Sequence, residues 1–302
     1  MGAFVQRHNQ GDSIKRQGSP MTYEHITVEP IAGACGAVIG GVDLSQDMDD
    51  ATFGEIKQAF VDHQVIFFHD QTLTEDQHKA FGKRFGTLNI HPRYVPLEGH
   101  PEIFPIRKDP EDSRIVGDAW HHDLTHLPEP PLGAILYGLD VPPVGGDTMF
   151  ASQYLAYETL SDGLKQTLAT LKGVHDNRIQ APNVTAARND ERTSKLVEDD
   201  NAEEPECEHP VVITHPESGR KALYVNSIRT HRFAGMTEEE SRPLLDYLCE
   251  HAIKPEFTCR FRWRKGSIAF WDNRCVMHKA LNDYPGHKRY MNRVTVNGAR
   301  PV

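Results

Sequence analysis

Hydrophobic positions in this chain come in short bursts, and their spacing predicts more strands than helices. Val65-Ile66-Phe67-Phe68 is an unbroken apolar tetrad, the pattern of a strand buried on both faces. Phe257, Cys259, Phe261 and Trp263 alternate with Thr258, Arg260 and Arg262, so one face of a strand is apolar and the other polar. Gly266 predicts a turn into another strand, Ser267 to Trp271, and Arg289 to Val296 repeats the alternation. Between His25 and Val42 short apolar runs are broken by Gly and Pro, which we read as early strands.

Helical spacing is confined to a few segments. Asp49-Asp50 can cap a helix whose apolar face is Phe53, Ile56 and Phe60. Thr74 with Gln77 forms a capping box, in which hydroxyl and amide satisfy each other's free backbone groups, ahead of Phe81, Phe85 and a terminating Gly86. Ser161 opens a helix with Leu164, Leu168 and Leu171, which we expect Gly173 to close. Thr237 and Glu240 repeat the capping box before Leu244, Leu245 and Leu248, with Pro243 expected to bend that helix.

No internal repeat is visible. We therefore read a flexible leader over 1–22 and a single domain over 23–302, mainly β with peripheral helices, as in a sandwich or jelly roll. One stretch, 181–208, is poor in large apolar residues, and seven of the eleven residues from Glu198 to Glu208 are acidic. It reads as a solvated, mobile insert, with an active-site lid as the sharper alternative.

Composition narrows the functions open to such a fold. Lys and Arg number 33 against 43 Asp and Glu, a net charge of -10, which argues against broad nucleic-acid binding because phosphates must be neutralised by clustered cations. An anionic ligand would have to be met by a few local cations. No apolar run reaches membrane-spanning length, and the N-terminal residues lack the apolar segment of a signal peptide. The five cysteines are scattered without a CxxC pair, which fits a reducing cytoplasm. No GxGxxG or P-loop sequence is present, which disfavours a nucleotide fold.

Chemistry enters at Trp120-His121-His122-Asp123. In an extended segment His121 and Asp123 share a face while His122 points away. An imidazole and a carboxylate so placed, with one more His, make a facial triad suited to non-haem Fe(II) and O2. His278 is a candidate third ligand: it follows the strand to Trp271 and the turn Asp272-Asn273-Arg274. On the last strand Arg289, Met291, Arg293 and Thr295 share one face. Two guanidiniums there are costly to bury unless they meet anions, and carboxylate or sulfonate oxygens suit their paired N–H groups. Pairing with surface Asp or Glu is the plainer alternative.

These segments, Trp120 to Thr125, Gly145-Gly146-Asp147-Thr148, Trp271 to Arg274 with His278, and Arg289 with Arg293, resemble the taurine dioxygenase (TauD/TfdA) family of Fe(II)- and 2-oxoglutarate-dependent oxygenases. The resemblance runs from about residue 25 to 300. It implies a double-stranded β-helix, Fe(II) as cofactor, and 2-oxoglutarate and O2 as co-substrates. It further implies that His121, Asp123 and His278 ligate iron, that Thr148 and Arg289 hold the distal carboxylate of 2-oxoglutarate, and that Arg293 meets the substrate's anionic group. His91 and Tyr94, in Ile90-His91-Pro92-Arg93-Tyr94, match two further substrate-pocket positions. Family members commonly form homodimers or homotetramers, so a homo-oligomer is expected.

The chain departs from the taurine pattern at the other end of the pocket. Gly117 stands where taurine enzymes carry Asn, His126 where they carry an aromatic, Arg229 where they carry a Phe, and Gln180-Ala181 where they carry Ser-Phe. The anion end is kept and the amine end rebuilt. That points from taurine toward an alkylsulfate, another sulfonate or an aryloxyalkanoate, hydroxylated next to its heteroatom. Two other classes stay open to the sequence: a zinc hydrolase built on His121, His122, Asp123 and His126, and a non-catalytic jelly-roll binding protein.

Overall fold

The computed structural model describes residues 22–91, 93–178, 189–194, 196 and 206–302. The leader, apart from Thr22, lies outside the described residues, as do Gln180-Ala181 and most of the acidic insert.

Fifteen strands and a handful of helices follow one another in the described residues. The largest sheet contains β1 (Thr27–Pro30), β2 (Ala37–Gly40), β3 (Val65–Phe68), β4 (Ile103–Lys108), β5 (Gly133–Asp140), β13 (Ile268–Asp272) and β15 (Arg289–Val296), in the order β1-β2-β3-β13-β5-β15-β4. Only β2 and β3 run parallel in it. Against it stand smaller antiparallel sheets: β12-β6-β14, from Thr258–Phe261, Thr148–Ser152 and Val276–Ala280, and β11-β7-β8, from Thr230–Phe233, Lys172–His175 and Cys207–Pro210. A two-stranded ribbon joins β9 (Val212–Thr214) to β10 (Lys221–Leu223). The result is mainly β with peripheral helices, the double-stranded β-helix expected.

Strand alternation divides the side chains between two cores. Val65, Phe67, Ala269 and Trp271 face the smaller sheets and pack with Phe150, Cys259 and Phe261. Their neighbours Ile66, Phe68, Ile268 and Phe270 face the helices. Phe67 stacks on Phe261 with ring centroids 4.0 Å apart, closing the sandwich, and Phe270 stacks on Phe60 at 4.1 Å, fastening the helical layer. Each fully buried phenylalanine contributes roughly 2 kcal/mol of apolar transfer. The apolar tetrad of β3 is thus explained: both faces are covered.

Helix α1 (Asp50–His63) starts at Asp49, whose side chain accepts from the Thr52 N–H, and buries Ile56, Ala59 and Phe60. Helix α2 (Glu75–Lys83) has the complete Thr74–Gln77 capping box and stops three residues before Gly86. Two short helices, α3 (Gln153–Glu158) and α4 (Asp162–Leu168), precede α5 (Glu238–His251), where Thr237 and Glu240 form the second box and the helix continues past Pro243.

One expected boundary is wrong. The helix capped by Ser161 ends at Leu168, and Gly173 lies inside β7. Pairing decides this: Lys172–His175 is hydrogen-bonded to β8 on one side and β11 on the other. A Cβ at Gly173 would come within 2.9 Å of the Thr230 side chain, so the close approach of β11 rather than a helix stop requires glycine there. Among the described residues no helix is long and apolar enough to cross a membrane.

Candidate active site

The centre begins with a backbone pairing. His278 lies mid-strand in β14, and the His121 N–H donates to its carbonyl at 3.1 Å while the His278 N–H returns the bond at 3.0 Å. Residues paired in this way project to the same side, and the two imidazole centroids are 4.2 Å apart. Asp123 follows two residues after His121, with its carboxylate oxygens 3.8 Å from Nε2 of each histidine. One donor atom from each of the three residues fits within 4.8 Å of the others.

The protonation states suit metal binding. Nδ1 of His121 is 2.7 Å from the Ala119 carbonyl, which can only accept, so the proton sits there and Nε2 keeps its lone pair. Burial pushes both His121 and His278 below the usual histidine range, keeping them neutral. Burial works the other way on Asp123, but the Arg293 guanidinium beside it outweighs burial and holds the carboxyl well below its usual range. Two neutral imidazoles and an ionised carboxylate on one side of a buried site are the donor set of a facial triad, and these residues fit an Fe(II) ion.

Supporting contacts come from the Trp271-to-Arg274 segment. Asn273 accepts from the Asp123 N–H at 2.6 Å and donates to its carbonyl at 3.0 Å. The Trp271 indole N–H lies 3.3 Å from Asp123 Oδ2. Asp272 points elsewhere, into a pairing with Arg274 at 2.7 Å and His215 at 2.9 Å. His215, Asp272 and Cys275 form a second close donor group, but the Asp272 carboxylate is already satisfied by guanidinium and imidazole.

Arg289 and Thr148 meet through Trp263. The Trp263 indole donates to Thr148 Oγ1 at 2.9 Å, and its ring lies 5.6 Å from the Arg289 guanidinium. Arg289 is 4% exposed, and its Nε and Nη2 have no partner among the described residues. Burial lowers its pKa from the ordinary arginine value, only partly offset by Tyr284 and Asp147. A buried cation with a bare edge is a ready receptor for a carboxylate.

Arg293 instead faces the metal side, with Nη2 2.7 Å from Asp123 Oδ2 and its guanidinium between the Phe104 and Trp271 rings at 5.3 and 5.2 Å. Next to it opens a cavity of about 140 Å³ whose wall includes His121, Asp123, His91, Tyr94, Arg229 and Arg293. Burial, reinforced by Arg293, pushes the pKa of His91 down to about 3. Its Nδ1 accepts from the Arg93 N–H at 3.1 Å, which leaves the proton on Nε2 as a donor. Tyr94 stacks on Phe104 with centroids 4.7 Å apart. The Arg229 guanidinium donates to the Asn177 side chain.

His126, nominated with these, is not part of that wall. A turn closed by the Leu127 N–H on the Leu124 carbonyl carries the chain away after Asp123, and burial, aided by Arg229, pushes its pKa down to about 3. His122 points away from Asp123 and packs on the Tyr224 ring at 4.8 Å. The four-residue zinc cluster therefore does not assemble. Gly117 lines the cavity with φ 82°, a left-handed conformation in which a side chain is strained.

Sequence reasoning missed Trp263, the positioning role of Asn273, and two further cavity arginines, Arg114 and Arg192. Trp263 was visible only as a core position of an alternating strand. The two arginines sit in polar stretches with no periodicity to mark them.

The family model of taurine catabolism dioxygenases, the TauD, TfdA family, matches residues 27–295. A sulfate ester dioxygenase of Pseudomonas putida, named as alpha-ketoglutarate-dependent, is 36% identical over 92% of this chain and 91% of its own length. An alkylsulfatase of Acinetobacter baylyi is 33% identical over 91% of this chain and 86% of its own. The crystal structure of a taurine dioxygenase from Burkholderia xenovorans superposes with a TM-score of 0.76 at 36% identity, covering 92% of this chain and 93% of that one. The His-Asp-His group and the bare guanidinium edge of Arg289 are accordingly those of a member of the TauD, TfdA family, a non-haem Fe(II)- and 2-oxoglutarate-dependent dioxygenase.

Proposed function

We propose that this dioxygenase hydroxylates the carbon next to the charged head of a small organic anion, a sulfate ester or sulfonate before an aryloxyalkanoate. His121, Asp123 and His278 would hold Fe(II), Thr148 and Arg289 the distal carboxylate of 2-oxoglutarate, and Arg293 the substrate's anionic group. The observation that carries this reading is the pairing of His121 with His278 over Asp123, together with the bare, buried guanidinium edge of Arg289. The sulfate-ester and alkylsulfate names of the relatives support the choice of substrate class.

Bound iron supplies O2 activation: 2-oxoglutarate is oxidised to succinate and CO2, one oxygen atom entering the succinate and the other the substrate C–H bond. The protein's own residues do the rest. His121, its ring fixed by Ala119, and Asp123, its backbone held by Asn273, keep the metal ligands in place. The cavity beside them, walled partly by Tyr94 and Phe104, orients one carbon of the substrate and limits water. An adduct hydroxylated next to a sulfate ester oxygen collapses to an aldehyde and sulfate, the hydroxyl proton leaving to solvent.

A panel of alkylsulfates, sulfonates and aryloxyalkanoates, incubated with Fe(II) and 2-oxoglutarate, tests the reading through succinate. We expect substrate-dependent succinate from at least one class and none from His121→Ala. Hydrolysis that proceeds without 2-oxoglutarate, or normal turnover by metal-stripped His121→Ala, would overturn it. With its five thiols all free, the protein suits a cytoplasmic setting, and a homodimer or homotetramer by sedimentation completes the proposal.

A further inference from the structure

Four arginines line the cavity beside the His-Asp-His group: Arg114, Arg192, Arg229 and Arg293. Three are engaged within the protein. Arg293 pairs with Asp123 at 2.7 Å, Arg229 donates to Asn177, and Arg114 pairs with Glu191. Arg192 is 6% exposed, and neither its Nε nor its Nη2 has a partner among the described residues. Those two nitrogens form one edge of the guanidinium, with N–H bonds pointing the same way. Arg289 carries the same bare, buried edge, and no other described arginine does.

The backbone on either side of Arg192 is held in place. Asn189 clamps Leu196 by donating to its carbonyl and accepting from its N–H, both at 2.9 Å. Thr193 donates from its N–H to Asp112 at 2.9 Å and from its hydroxyl to Asp109 at 3.0 Å. Ser194 accepts from the Arg107 N–H at 2.5 Å, and Leu196, itself a wall residue, bridges to Tyr94. A guanidinium buried on a backbone held this way loses its water without gaining an acceptor, which is costly unless an anion enters the cavity.

We propose that Arg192 is a second clamp for the charged head of the substrate, taking two oxygens of a sulfate, sulfonate or carboxylate along its Nε–Nη2 edge. This rests on the dioxygenase reading of the site and adds a specificity-determining residue to it. The paired N–H groups match two oxygens of such a head, and a neutral alcohol offers no equivalent.

Isothermal titration of the full chain tests this with n-hexyl sulfate, hexane-1-sulfonate, 2-phenoxypropionate and neutral n-hexanol, alongside 2-oxoglutarate with Mn(II). The parent should bind at least one of the anions and prefer it to n-hexanol. Arg192→Ala should weaken that anion roughly 10- to 100-fold, the loss of a charge-assisted contact, with 2-oxoglutarate binding unchanged, and Arg192→Lys should recover part of the loss. Intact 2-oxoglutarate binding also shows that the variant is folded. Equal anion affinity in parent and Arg192→Ala, or a parent that binds 2-oxoglutarate but none of the anions, overturns the proposal alone. A parent that fails to bind 2-oxoglutarate overturns the dioxygenase reading beneath it.

Discussion

Asn273 grips the backbone of Asp123 from both sides, its carbonyl oxygen 2.6 Å from the Asp123 nitrogen and its amide nitrogen 3.0 Å from the Asp123 oxygen. Two residues far apart in sequence are thereby locked in one geometry, and the amide also reaches the Pro131 carbonyl at 3.2 Å. Asn273→Ala leaves these groups without partners and frees the segment that carries a metal ligand. We expect metal affinity, measured by Mn(II) titration, to fall about 10- to 100-fold. Unchanged affinity would show that Asn273 serves stability alone.

Arg289→Ala should raise the KM for 2-oxoglutarate strongly and leave Mn(II) binding intact. The same change removes a buried cation whose Nε and Nη2 lack partners, so the ligand-free protein should melt no earlier than the parent. Steady-state kinetics and a thermal melt check the two halves. A large drop in Tm without a change in KM would assign Arg289 to structure.

Arg293→Ala should raise the substrate KM while 2-oxoglutarate binding stays close to that of the parent. Asp123 also loses its guanidinium partner, so its carboxyl pKa should rise toward the ordinary range. A defect confined to 2-oxoglutarate affinity would contradict a substrate role for Arg293.

Acid should destabilise the fold through its buried histidines. His78 is 1% exposed, and burial lowers its pKa from 6.5 to about 4. The unfolded chain takes up a proton at a higher pH than the folded one, so this group's contribution is complete above pH 6.5 and is lost as pH falls from there toward 4. By linkage the loss reaches roughly 3 kcal/mol once both states are protonated. Urea unfolding of His78→Leu from pH 7 to pH 4 should show a shallower decline than the parent. Parallel curves would rule out His78 as a source of the acid sensitivity.

Much of this arrangement could be read in advance, and the reasons are local. His121 and Asp123 are two residues apart in an extended segment, and Arg289 and Arg293 share the period of one strand, so alternation alone puts each pair on a common face. Both capping boxes are contained within one helical turn and formed as written. Other relationships depend on the register between distant strands. Nothing near Trp263 marks it as the link between Thr148 and Arg289, because β12 pairs with β6 only in the folded sheet. Gly173 reads as a helix stop until two strands are seen to flank it. Arg192 sits in the polar run Asn189-Asp190-Glu191-Arg192-Thr193-Ser194, which resembles any solvated loop until its side-chain tethers are traced.

The backbone pairing of His121 with His278 joins positions about half the chain apart, and Arg289 and Arg293 come later still. A ribosome that has released only the first two-thirds of the polypeptide has made His121 and Asp123 but neither the third metal ligand nor Arg289 and Arg293. The emerging chain therefore cannot hold iron with its full ligand set during synthesis. Metal capture and co-substrate binding become possible only when the final strands close the sheet, so chains broken off early carry no redox-active centre.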